Sequence, residues 1–120
     1  MSEEHRALAR RAVEEIYNKG DLDAADEIYA SDCILHDPSL PENLRGPEGI
    51  KHYAGMYRNA FPDLYVTIEE EICEGDRMAM RWTARGIHRG DLMGIPPTGK
   101  PILVSGVTLG RTADGKIVEE

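Results

Sequence analysis

The chain has 120 residues, enough for one domain, and 41% of them are hydrophobic, enough for a core. Its 22 carboxylates outnumber 14 Lys and Arg, giving a formal net charge of −8. That balance argues against a nucleic-acid binder, which needs clustered cations to neutralise phosphates. The start, MSEEHRALARRAVEEIY, is charged and amphipathic, and no window approaches ~18 uninterrupted apolar residues. No membrane association and a cytoplasmic location are therefore expected. Cys33 and Cys73 have no second pair beside them and are expected to be free, buried thiols.

Residues 4–18 carry Leu8, Ala9, Ala12, Val13, Ile16 and Tyr17 at helical spacing, with Arg and Glu on the other face. Asn18-Lys19-Gly20 supplies a stop, and Asp21 is the expected N-cap of a short second helix bearing Leu22, Ala25, Ile28 and Tyr29. Ser31-Asp32 reads as a turn into a brief strand, Cys33 to His36, ended by Asp37-Pro38. Gly46-Pro47 opens a third helix, because proline suits the first helical position. Its buried stripe is Ile50, Tyr53, Ala54, Tyr57 and Phe61.

Beyond Pro62-Asp63 the period changes from about 3.6 to 2, with Leu64, Val66 and Ile68 alternating with Tyr65, Thr67 and Glu69. Gly75-Asp76 is a hairpin turn. The strand from Arg77 to His88 puts Met78, Met80, Trp82, Ala84, Gly86 and His88 on one face and Arg77, Ala79, Arg81, Thr83 and Arg85 on the other. The loop GDLMGIPPTGK, read as lid-like, leads to a strand from Ile102 to Arg111. Asp114-Gly115 then turns the chain into Lys116 to Glu120. Helices followed by an antiparallel meander predict α+β architecture, and Gly86, Gly106 and Gly110 within strands can bend the sheet around a space.

The stretches AFPDLYVTIEE, GDRMAMRWTARGIHRGDLMGIPPTGK and GRTADGKIVEE, in this order, resemble the SnoaL-like polyketide cyclase family, including its ester cyclase-like members, within the NTF2-like superfamily. The resemblance spans essentially the whole chain, 1–120, as a single domain. It implies an NTF2-like cone-shaped barrel, a curved antiparallel sheet packed on three N-terminal helices around a pocket for a hydrophobic small molecule. It also implies a homodimer paired through the open sheet face. In the aldol cyclases of this family, ring closure uses no metal or cofactor, and an acidic side chain on the last strand moves the proton. By the GKIVEE match that acid falls two positions past Glu120, so the chain is expected to lack the family's C-terminal end. Strand positions where those cyclases carry Gln and His match Gly106 and Thr108.

Proton abstraction beside a carbonyl needs a base raised toward neutral pKa and a donor for the enolate oxygen. Three residues are catalytic candidates. His36 ends the first strand, and His88 shares the Trp82 face; histidine as a side chain can serve as acid, base or donor. Glu120 completes the set. Glu119 and Glu120 face opposite ways on the last strand and its register leaves open which is inside, while the resemblance favours Glu120. Tyr17, Tyr57, Met80 and Trp82 are candidate pocket walls, and Thr108 a candidate donor to substrate. His5, His36, His52 and His88 have no metal-ligand spacing, so neither metal nor cofactor is expected. Prolines in GIPPTGK argue against a phosphate loop. The expected function is cofactor-independent lyase or isomerase chemistry on a hydrophobic carbonyl compound. The alternative is a non-catalytic binding or dimerisation module in the same fold.

Overall fold

A computed structural model describes residues 2–120. Helix α1 (Ser2–Arg11) has Glu3 and Glu4 in its first turn and Arg10 and Arg11 in its last, charges that complement the helix dipole. It runs on as a π-helical segment, Ala12–Asn18, whose wider turn buries Ala12, Val13 and Ile16. Gly20, at φ +78°, reverses the chain. A 3₁₀ turn (Leu22–Ala24) leads into α2 (Ala25–Ile28). The expected cap is not made, since Asp21 contributes no side-chain hydrogen bond there.

Strand β1 (Tyr29–Leu35) begins four residues before the predicted one, so Ser31 and Asp32 are strand residues rather than a turn. After an excursion come β2 (Leu44–Arg45) and α3 (Gly46–Ala60), which has proline in its first turn. Strands β3 (Tyr65–Glu74), β4 (Arg77–Ile87), β5 (Pro101–Ala113) and β6 (Lys116–Glu119) complete the fold.

The six strands form one sheet in the order β2-β1-β6-β5-β4-β3. The sheet is not wholly antiparallel, because β1 and β6 pair in parallel. That pairing joins strands far apart in the chain, and no hairpin constrains their direction. Ile16, Ile28, Ile50 and Ile117 are fully buried between the helices and the β1–β6 end of the sheet, each contributing roughly 1.5–3 kcal/mol by leaving water. A second cluster, Ala9, Val13, Met78 and Met80, sits under α1, and a third, Ala60, Phe61, Leu64 and Ala84, lies where α3 ends. The predicted alternation along β4 holds, with Met78, Met80 and Ala84 inside. Cys33 is buried and Cys73 half-buried, both free. Among the described residues no helix is long and apolar enough to cross a membrane.

Candidate active site

The order of β6 against β1 decides which terminal glutamate is inside. The Glu120 amide donates to the Ile34 carbonyl at 3.0 Å, and the His36 amide donates to the Glu120 carbonyl at 2.9 Å. Glu120 therefore lies across from buried Leu35 and turns inward, where the Tyr29 hydroxyl donates to its Oε1 at 2.8 Å. Burial lifts the Glu120 carboxyl from about 4.5 to about 7, with the Tyr29 hydrogen bond pulling partly the other way. A carboxyl titrating near neutrality can both take and return a proton at working pH.

Four of the chain's five tyrosines lead away from it, Tyr29 and Tyr17 interacting with Glu120 itself and Tyr53 and Tyr57 with Tyr17. Tyr29, on β1, is buried. Tyr17 comes from the π-helical segment, and Tyr53 and Tyr57 come from α3, one ring edge-on to the other at 5.1 Å. Burial, then the charges of Glu120, Tyr57 and Asp37, raise the Tyr17 phenol. Those couplings place Tyr17 in the same electrostatic environment as both carboxylates. Tyr17 and Tyr57 hydroxyls have no protein partner among the described residues, so both are free to donate to a ligand. The Tyr53 hydroxyl instead donates to Asp37 Oδ2 at 2.6 Å. Ser39 contributes its amide and hydroxyl to the other Asp37 oxygen, at 2.8 and 2.7 Å. Burial pushes the Asp37 carboxyl up, but the bonds from Tyr53 and Ser39 outweigh it and hold it below its usual value. The two carboxyls are thus pushed apart, Asp37 kept ionised and Glu120 near neutrality, a division that commonly marks acid–base roles.

Tyr17 is held by its backbone. Arg58 Nη1 donates to the Tyr17 and Asn18 carbonyls at 2.7 and 3.1 Å. The Asn18 side-chain amide donates to the Val66 carbonyl at 3.0 Å and accepts from the Val66 amide at 2.6 Å. Gly20 makes room for this arrangement, since a Cβ there would sit 2.7 Å from Arg58 Nε.

The two histidines do not join Glu120. His36 points outward beside Glu119, with Nε2 2.9 Å from Glu119 Oε2 and its side chain about half exposed. It follows Leu35 on an extended segment, so it takes the opposite face. His88 is buried as its face predicted, but Nδ1 lies 3.2 Å from Thr98 Oγ1 and the ring packs 5.3 Å from Phe61. Its amide donates to the Lys100 carbonyl and its carbonyl accepts from the Gly99 amide, so it fastens both ends of the loop 88–100. Met80 is core under α1 with Ala9 and Val13, not an open wall. Trp82 does lie with Tyr17 and Tyr57 against the Phe61 cluster, and its Nε1 donates to Thr108 Oγ1 at 3.0 Å. That bond occupies the Thr108 oxygen as an acceptor.

Asp37, Tyr29 and Tyr53 are the site residues that sequence reasoning missed. Their available signal was tyrosine at buried positions, because a buried phenol needs a polar partner. Two surface hollows, of about 180 Å³ beside Arg6, Arg10 and Glu69 to Glu71 and about 200 Å³ beside Leu40, Leu44, His52 and Met56, lie apart from Glu120. Neither hollow is lined by Glu120 or by any of the four tyrosines. Among the described residues, no group of three His, Cys, Asp or Glu is placed to hold a metal ion.

The family model for SnoaL-like polyketide cyclase matches residues 7–120. A candidate SnoaL-like polyketide cyclase from Jannaschia sp. CCS1 is 25% identical, with TM-score 0.88, covering 97% of this chain and 81% of that one. IdmH, a candidate polyketide cyclase from Streptomyces antibioticus, is 32% identical, with TM-score 0.79 and coverage of 95% and 86%. AclR, a candidate hydroxylase from Streptomyces galilaeus, is 29% identical, with TM-score 0.82 and coverage of 99% and 73%. The architecture is the ketosteroid isomerase-like, NTF2-like cone. No curated protein matches the sequence.

Proposed function

The chain belongs to the SnoaL-like polyketide cyclase family, and from that premise we propose that it is a cofactor-independent cyclase or isomerase moving protons beside a carbonyl of a hydrophobic small molecule. The single observation carrying this reading is the inward Glu120 carboxyl, raised to about 7 among tyrosines. As the carboxylate, Glu120 takes the proton next to the substrate carbonyl. The developing enolate oxygen accepts hydrogen bonds from Tyr17 or Tyr57, whose hydroxyls have no partner among the described residues. Tyr29 orients Glu120 through the 2.8 Å bond, and the protonated Glu120 returns the proton at the new position. Ionised Asp37 keeps Tyr53 oriented and gives the site a fixed negative pole.

The test is deuterium exchange next to the carbonyl of bicyclic ketones such as 2-tetralone in D₂O, followed by NMR. Glu120→Gln is expected to reduce catalysed exchange by ~10²–10⁴, the usual range for a general base, and Tyr17→Phe by up to ~10². Equal exchange in wild type and Glu120→Gln overturns the assignment.

The divergence of His36 and His88 from Glu120 favours a second reading, a module that binds the same ligands without turnover. It predicts binding by wild type and Glu120→Gln alike, with no exchange by either.

A homodimer remains part of the proposal. The outer faces of β3 and β5 expose Ile72, Leu103, Val107 and Leu109, each more than 60% accessible, a row of large apolar side chains. Arg81 and Arg85 of β4 stand opposite Val107 and Leu103, while Glu70 on β3 pairs with Arg81. A face carrying apolar rows and both charge signs can meet a second copy of itself about a two-fold axis.

A further inference from the structure

We propose that Gly106 is the specificity-determining position of this site: by leaving β5 bare opposite Trp82, it lets the indole lie close against the strand and form a floor for flat, fused-ring ligands. The inference deepens the reading of the interior as a ligand site and does not depend on Glu120 being a catalyst. Trp82 and Gly106 are direct cross-strand partners. A Cβ at residue 106 would stand 2.6 Å from Trp82 Cζ2, 2.9 Å from Cη2 and 3.1 Å from Cε2. Carbon contacts are comfortable at about 3.5–4.0 Å, so even a methyl group lifts the ring by about 1 Å.

Two residues along β5, Thr108 receives the indole N–H at 3.0 Å, a bond that fixes the ring's angle over the glycine. Trp82 packs at once against the Met80 cluster and the Phe61 cluster, the latter shared with Tyr17 and Tyr57. A ring raised off Gly106 moves toward those tyrosines and the cluster they pack on. Val104, on the same inner face of β5 and opposite buried Ala84, is 48% exposed, so the inner face is open to solvent beside the indole. Gly106 thereby sets the depth available above the floor, and Thr108 holds the floor level. A planar ligand stacking on the indole at the usual centroid spacing of about 4.5–7 Å loses its place when the floor rises, whereas a single ring is less affected.

Trp82 is the chain's one tryptophan, so its emission reports the floor directly. Wild type is expected to bind 2-acetonaphthone with quenching of Trp82. Gly106→Ala is expected to shift the emission and weaken 2-acetonaphthone at least tenfold, while acetophenone changes by less than threefold. Thr108→Val removes the bond at nearly constant volume and is expected to lower Trp82 anisotropy and narrow the naphthyl-over-phenyl preference at least threefold. Circular dichroism and melting monitor the fold, and if Gly106→Ala does not fold, Thr108→Val carries the test. Unchanged selectivity in the folded variants, equal loss of both probes, or no binding of 2-acetonaphthone by wild type overturns the proposal. Failure of Glu120-dependent exchange with selectivity intact would sink the catalytic reading alone.

Discussion

Replacing Glu120 by Gln should change how stability depends on pH, with no substrate needed. Glu120 is lifted from about 4.5 to about 7, chiefly by burial. The folded chain therefore binds a proton more tightly than the unfolded chain, and between those values it carries more protons. Stability from this group is fully present below about pH 4.5 and is lost as pH rises through about 7. At 1.36 kcal/mol per pH unit, the loss is about 3 kcal/mol. Glutamine matches the neutral carboxyl in shape and cannot ionise.

Urea unfolding at pH 4.5 should thus find the two proteins similar, and at pH 8 should find the glutamine variant more stable by up to about 3 kcal/mol. The difference between the two curves cancels contributions from other titrating groups, which both proteins share. Parallel curves across this range would mean that Glu120 is solvated and is not a raised carboxyl able to serve as the base.

Other outcomes follow from the same geometry. His5 is 1% exposed, and neither ring nitrogen has a hydrogen-bond partner among the described residues. Burial lowers its pKa against an opposing pull from Asp76, so its stability is present above about 6.5 and lost as pH falls through the lowered value. His5→Leu should flatten the melting temperature between pH 7 and pH 5, and an unaltered acid slope refutes this. Tyr53→Phe removes the 2.6 Å bond to Asp37 and should raise the Asp37 titration toward its ordinary value, read by carboxyl NMR; no movement would mean that Ser39 alone sets it. Val107→Glu with Leu109→Glu should leave a folded monomer in sedimentation at tens of micromolar, where wild type is expected to sediment as a dimer. A monomeric wild type at that concentration removes the dimer.

Elements whose pattern is local were legible in the sequence. The period-2 face of β4 and the Gly46-Pro47 start of α3 need only neighbouring residues to be read. The start of β1 is not legible, because Ser31 and Asp32 are outward, exposed positions and two polar residues after a helix resemble a turn. Which of Glu119 and Glu120 is inside depends on a parallel register with residues 34 to 36, and nothing in the last strand encodes it. Asp37 before Pro38 signals the end of a strand, and one of its oxygens does turn the chain there, closing on the Ser39 amide. The other oxygen serves Tyr53, 16 residues on, a partner visible only after α3 has packed. His88 had the right face, but its loop supplied Thr98 as a nearer partner.

The Asn18 clamp also bears on how the molecule avoids its neighbours. Strand β3 ends the sheet on one side, and a free edge offers unpaired amides and carbonyls on which another chain can grow. Asn18 occupies both main-chain groups of Val66 with one side chain, imitating a single rung of a seventh strand. A foreign strand docking along β3 would have to displace it and pull the helix end away with it. Asn18→Ala, beyond costing about 1–3 kcal/mol for two unmet groups, would turn a guarded border into a template for fibrous self-association.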